Sequence, residues 1–148
     1  MKKALLSLSV PLVLIACAGG DADMDAAPGT DTSAGTVSIV TPSNGALVNG
    51  TTVTVQLSSS VQILPAGDLT EGSGHHHLYL DADLTAPGVP VPSVPGSIIH
   101  MGDGSSAYVF ENVAAGEHRV IAVVADGVHV PLQPWVVDTV TFTVANQD

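Results

Sequence analysis

Six histidines supply most of the chemistry this chain offers: His75, His76, His77, His100, His118 and His129. A neutral imidazole is a ligand for Zn²⁺ or Cu²⁺. In a strand, alternate residues share a face. Leu78 and Leu80 are apolar and belong on a core face, which places His76 with them. His75, His77, Tyr79 and Asp81 then share the opposite face. His75 and His77 have Cα atoms about 6–7 Å apart, so both rings can reach one ion. The competing reading is structural, with His75 and His77 bonding loop carbonyls to stiffen a turn.

These side chains need strands to position them. Val37 to Val40 and Thr52 to Ser58 read as strands, the second with Val53, Val55 and Leu57 on one face. His75 to Asp81, Ala107 to Glu111, His118 to Asp126 and Val136 to Val144 read likewise. Thr85 to Gly96 carries Pro87, Pro90, Pro92 and Pro95, so it is an extended loop or edge. No segment beyond the first sixteen residues has helical period with caps. Short strands separated by turns predict an all-β fold, an immunoglobulin-like antiparallel β-sandwich of about seven strands. In such a sandwich the His75 and His118 strands lie side by side and antiparallel. His75, His77 and His129 then meet at one end, with Asp126 able to complete the coordination. His118 falls at the other end near Asp81, and His100, after a long loop, has access to either.

Two resemblances sharpen this picture. Val113-Ala114-Ala115-Gly116-Glu117-His118 resembles the corner before strand F of immunoglobulin and fibronectin-like domains, with His118 in place of the tyrosine that ties the corner to backbone. Gly74-His75-His76-His77-Leu78-Tyr79-Leu80-Asp81, His100-Met101-Gly102-Asp103-Gly104, Ala115-Gly116-Glu117-His118-Arg119-Val120 and Asp126-Gly127-Val128-His129-Val130-Pro131 follow in order. This pattern resembles a bacterial family of exported domains catalogued as domain of unknown function 4399, over about half the chain from Gly74 to Val144. The resemblance implies an extracytoplasmic β-domain and no particular activity. Members often carry Phe where Met101 stands, and Gly-Gln-Thr where this chain has Gly104-Ser105-Ser106. Met101 is a soft copper donor in principle, though packing is its expected role.

The N-terminus carries an address. Lys2 and Lys3 precede a short apolar run ending Leu14-Ile15-Ala16-Cys17, which is similar to the lipobox of bacterial lipoproteins. The resemblance implies a signal peptide at 1–16 and a lipid on Cys17, the only cysteine of the chain. Residues 17–35 then form the anchor and a flexible acidic linker, and residues 36–148 the folded domain. The expected location is outside the cytoplasm, at the outer membrane or periplasmic face, with the membrane as a partner through lipid.

Composition removes several classes of function. The formal net charge is −11, and Arg119 is the only strong cation beyond Lys2 and Lys3. Such a surface repels phosphates, so no nucleic acid partner is expected. No nucleophile elbow, metalloprotease helix motif or phosphate loop is present, and no enzyme activity is expected. Two functions remain: a binding module holding Zn or Cu at His75, His77, His129 and His100, or a structural or protein-interaction module of the envelope, in which Trp135 could anchor a partner.

Overall fold

Alternation of apolar and polar residues decides most of the strands. The structure, a computed structural model, describes residues 35–145. The expected signal segment at 1–16, Cys17 and all of the linker but Gly35 lie outside the described residues, as do residues 146–148. Nine strands occur among the described residues, with no helix. They are β1 (Val37–Thr41), β2 (Ala46–Val48), β3 (Val53–Ser59), β4 (Gln62–Ile63), β5 (Ser73–Leu80), β6 (Ile98–Met101), β7 (Ala107–Phe110), β8 (Gly116–Ala125) and β9 (Val137–Val144).

In β3, Val53, Val55 and Leu57 are buried while Thr54, Gln56 and Ser58 face water. In β9, Val140, Phe142 and Val144 are buried against exposed threonines. One face in and one face out is the mark of a sheet packed on a single core. One sheet has the order β1-β3-β7. The other runs β2-β9-β8-β5, with β4 and β6 both pairing with the remaining edge of β5. The chain crosses between sheets from β7 to β8, through the corner at Ala114-Ala115-Gly116. Two three-to-six-stranded sheets joined in this order form an immunoglobulin-like β-sandwich. The main core lies wholly between Val37 and Val144, so this stretch carries all of its own buried apolar interior.

Strands β2, β4 and β6 were not expected. The first two have only three and two residues and pair in parallel with β9 and β5, so neither shows a readable period. Strand β6 hides behind the proline-rich loop and carries apolar residues without alternation.

Strand β5 departs from the one-sided pattern: all eight residues are buried. Its inner face joins the sandwich core through Leu78 and Leu80. Its outer face is covered by a second, smaller cluster of Tyr79, Val91, Ile98, Ile121, Val123 and Ala125, against which Trp135 packs. Residues 85–96 fold back as a strap and add Val91 to this cover. Tyr79 Oη lies 2.9 Å from Thr85 Oγ1, and the Val91 amide donates to the His129 carbonyl at 2.9 Å. The loop is therefore part of the packing, with Val91 inserted and buried.

Candidate metal centre

Strand pairing assembles the site. His75 and His77 project from the outer face of β5. In the β5–β8 ladder His75 stands opposite Ala125 and His77 opposite Val123. In the β5–β6 ladder His77 stands directly opposite His100. Directly opposed residues have Cβ atoms about 4.5–5.5 Å apart on one face, so His100 is brought to His77 by register alone. The chain leaves β8 at Ala125 and turns through Asp126-Gly127-Val128-His129, which returns His129 over His75.

Four rings converge. The six centroid separations are 4.7 Å for His75–His77, 4.9 Å for His75–His100, 5.0 Å for His75–His129, 5.2 Å for His77–His100, 5.7 Å for His77–His129 and 4.7 Å for His100–His129. His75, His100 and His129 each offer a ligand nitrogen, all within 4.8 Å of one another. His77 stands slightly farther from His100 and His129 but has its Nε2 3.0 Å from that of His75. The Nε2 atoms of His100 and His129 are 3.2 Å apart. His75 and His77 are fully buried, His129 is half-buried and His100 is exposed. The cluster thus has a dry floor and a wet rim.

Electrostatics favour the neutral form of His75, His77 and His100. Burial, followed by the neighbouring His100 and His129 rings, lowers the His75 pKa to about 4. Burial, followed by His75, lowers that of His77 to about 3. His100 is lowered as well, by burial and then by His129, against the pull of Asp103. Desolvation disfavours the charged form of a base, and neutral imidazole is the form that binds a metal. The Nδ1 atoms of His75 and His77 are buried without a protein hydrogen-bond partner.

The turn bearing His129 is tightly specified. Asp126 Oδ1 accepts from the amides of Val128 at 3.0 Å and Val130 at 2.9 Å. The His129 amide donates to the Asp126 carbonyl at 2.9 Å. His129 itself has φ 71°, a left-handed conformation uncommon outside glycine. That Asp126 oxygen therefore shapes the loop, where the sequence suggested Asp126 as a ligand. Two glycines, overlooked in the sequence, make room at the cluster, Gly102 for a ring and Gly127 for the neighbouring backbone. A Cβ on Gly102 would overlap the His100 ring, and one on Gly127 would overlap the Asp68 carbonyl. The signal was present, since each glycine lies two residues from a clustered histidine.

The remaining residues separate cleanly from the cluster. His76 faces the sandwich interior, with Nδ1 3.0 Å from the Ser105 carbonyl. Met101 is buried in the main core beside Leu78 and Val124, on the face away from His100, so it packs and offers nothing to an ion at the cluster. Trp135 is partly buried against the outer cluster. At the far end, His118 Nδ1 lies 2.6 Å from Asp81 Oδ2 and His118 Nε2 lies 2.9 Å from the Ala114 carbonyl. The ring thus ties the corner to backbone, as a tyrosine hydroxyl does in related sandwiches. Arg119 is engaged by the Asp83 carboxylate at 2.7 Å and the Ala82 carbonyl at 2.9 Å.

Strand order and corner define an immunoglobulin-like β-sandwich, and one end of it carries the clustered histidines. The chain belongs to the family described as domain of unknown function DUF4399, whose model matches residues 53–145. No curated protein matches the sequence. Among solved structures, the chain is similar to fibronectin(III)-like modules of Clostridium thermocellum CbhA at 13% identity and TM-score 0.48, over 76% of this chain and 99% of that one. It is also similar to an engineered protein at 13% identity and TM-score 0.42, over 76% of this chain and 20% of that one.

Proposed function

We propose that this domain is a transition-metal-binding module of the cell envelope, holding one divalent ion through His75, His100 and His129 with His77 as the fourth ligand. One observation carries the reading: four rings from two strands and a loop stand at six nearly equal separations. Four imidazoles on one tetrahedral ion, with metal–nitrogen bonds of about 2.0–2.1 Å, have centroids about 5.2 Å apart and ligand nitrogens about 3.3 Å apart. The rings here lie 4.7–5.7 Å apart, and two nitrogen pairs lie 3.0 and 3.2 Å apart.

The reading favours binding over catalysis. A catalytic zinc keeps a position open for water or substrate, and four protein ligands fill a tetrahedral shell. It also favours an exchangeable ion. Ligand histidines at tightly held sites usually donate their second nitrogen to an acceptor that raises ligand basicity. Here the Nδ1 atoms of His75 and His77 have no such acceptor, and the His100 rim is open to solvent. The Lys2–Cys17 sequence supports an exported, lipid-anchored chain, with the acidic linker as tether and the envelope as the place where the ion is met.

Elemental analysis and titration of the soluble chain 18–148 test the reading. The expected result is one equivalent of bound metal, lost by more than a hundredfold in affinity in the double variant His100→Ala/His129→Asn. Asn tolerates the left-handed backbone at position 129, so the variant should keep its fold by circular dichroism. A wild-type chain that takes up no Zn²⁺, Co²⁺ or Cu²⁺ would end the proposal.

A further inference from the structure

The cluster also carries information about which ion it suits, an inference that rests on the reading above. Donor type alone does not choose, because imidazole suits zinc, copper, iron and nickel alike. For flexible nitrogen sites Cu²⁺ binds more tightly than Zn²⁺. Geometry separates them: Cu²⁺ prefers a tetragonal plane, whereas Zn²⁺ has no preference of its own and is commonly tetrahedral. Four imidazoles in a plane would have neighbouring centroids about 4.5 Å apart and opposite ones about 6.4 Å apart. No pair here approaches the longer value; the widest is His77–His129 at 5.7 Å.

The scaffold resists flattening. His75 and His77 sit fully buried on β5, which is bonded to β8 on one side and to β4 and β6 on the other. His100 is fixed opposite His77 by the ladder, and its ring lies against Gly102. His129 is held from both sides, its amide on the Asp126 carbonyl and its carbonyl under the Val91 amide. Moving apart the backbones that carry opposite rings would break β-ladder pairing or lift the strap. Among the described residues no soft donor for Cu⁺ lines the rim, since Met101 is turned into the core.

We infer that the ring spacing favours Zn²⁺ and other tetrahedral ions and cancels most of the intrinsic advantage of Cu²⁺. Competition and spectroscopy on the chain 18–148 distinguish the possibilities. With Co²⁺ as probe, intense visible bands of a tetrahedral ion are expected. In equimolar competition, Zn²⁺ should hold its own against Cu²⁺ to within about tenfold, and any bound Cu²⁺ should give the small parallel hyperfine splitting of a tetrahedrally distorted site. Complete displacement of Zn²⁺ by Cu²⁺ with an ordinary tetragonal spectrum would overturn the selectivity and leave metal binding standing. Absence of uptake of every ion would remove both. The variant His77→Leu fills the buried space with an apolar group. It should weaken Zn²⁺ and Co²⁺ binding and shift the Co²⁺ bands as water takes the place of a nitrogen, and an unchanged spectrum and affinity would show that the fourth ring has no part in the selection.

Discussion

The β5–β8 pair carries histidines at both ends, and the two ends treat them in opposite ways. At one end His75, His77, His100 and His129 face one another, and the close ring-to-ring contacts are between nitrogens. At the other end both nitrogens of His118 face oxygens, from Asp81 and Ala114. An oxygen acceptor needs an N–H, so the His118 ring is satisfied on both sides only as imidazolium. In the cluster each close contact pairs two nitrogens, which neutral rings satisfy by sharing a proton and which, in the proposed reading, an ion takes instead. Burial pushes down the pKa of His75 and His77. At His118 burial also opposes charge, but the bonds to Asp81 and Ala114 and the Asp81 charge outweigh it, and the pKa rises. The residue type is the same; the atoms facing the ring decide whether it takes a proton or is available to a metal.

The largest expected break in this contrast is steric. Gly102→Ala puts a methyl group where the His100 ring lies, so that ring must leave the cluster while the His118 end stays intact. Metal affinity should fall by about 10–100-fold, the range seen when a ligand's support is lost, and isothermal titration would measure it. Unchanged affinity would show that His100 is dispensable.

The second test uses pH on the metal-free domain. Between the ordinary histidine value of 6.5 and about 4, the unfolded chain binds protons that folded His75 and His77 do not. Stability should therefore fall as pH drops through that window. His118 acts in reverse: its raised folded pKa contributes stability below 6.5 that is lost as pH rises through the folded value. Urea melts across pH 4–9 should show a maximum near neutrality. The acid limb should shrink in His75→Gln/His77→Gln and the alkaline limb in His118→Gln, and a profile indifferent to both would sink the electrostatic account.

The smallest effect belongs to the corner itself. His118→Tyr can keep the bond to the Ala114 carbonyl but gives up the charged contact with Asp81. A loss of about 1–2 kcal/mol is expected for a partly exposed charge-assisted bond, with metal affinity unaltered. Denaturant melts and titration on the same sample would check both halves.

Much of this arrangement was legible in the residues. The alternation of Val53, Val55 and Leu57 gave β3, and the period of two separated His76 from His75 and His77. The antiparallel neighbours β5 and β8 followed from the expected sandwich, which put His129 at one end and His118 at the other. His100 could not be placed, because β6 has four residues without alternation after a long loop. The strap was unreadable for a related reason. Its prolines forbid regular pairing, and only tertiary contact with Tyr79 and His129 shows that Val91 is inside. Gly102 and Gly127 were missed because their need for bare backbone shows only once the His100 ring and the Asp68 carbonyl are in place.

Strand β5 has no outward side. On β3 and β9 every second position looks into water and is free to drift, as the threonines of β9 are, and only Val120–Ala125 of β8 shares the constraint of β5. Along Ser73–Leu80 eight successive positions are each answerable to some neighbour, inner residues to the core and outer ones to the strap or the cluster. Sequence divergence among relatives should be lowest there and should rise on the outer faces of β1 and β9, so this segment offers the surest anchor for aligning distant members of the family.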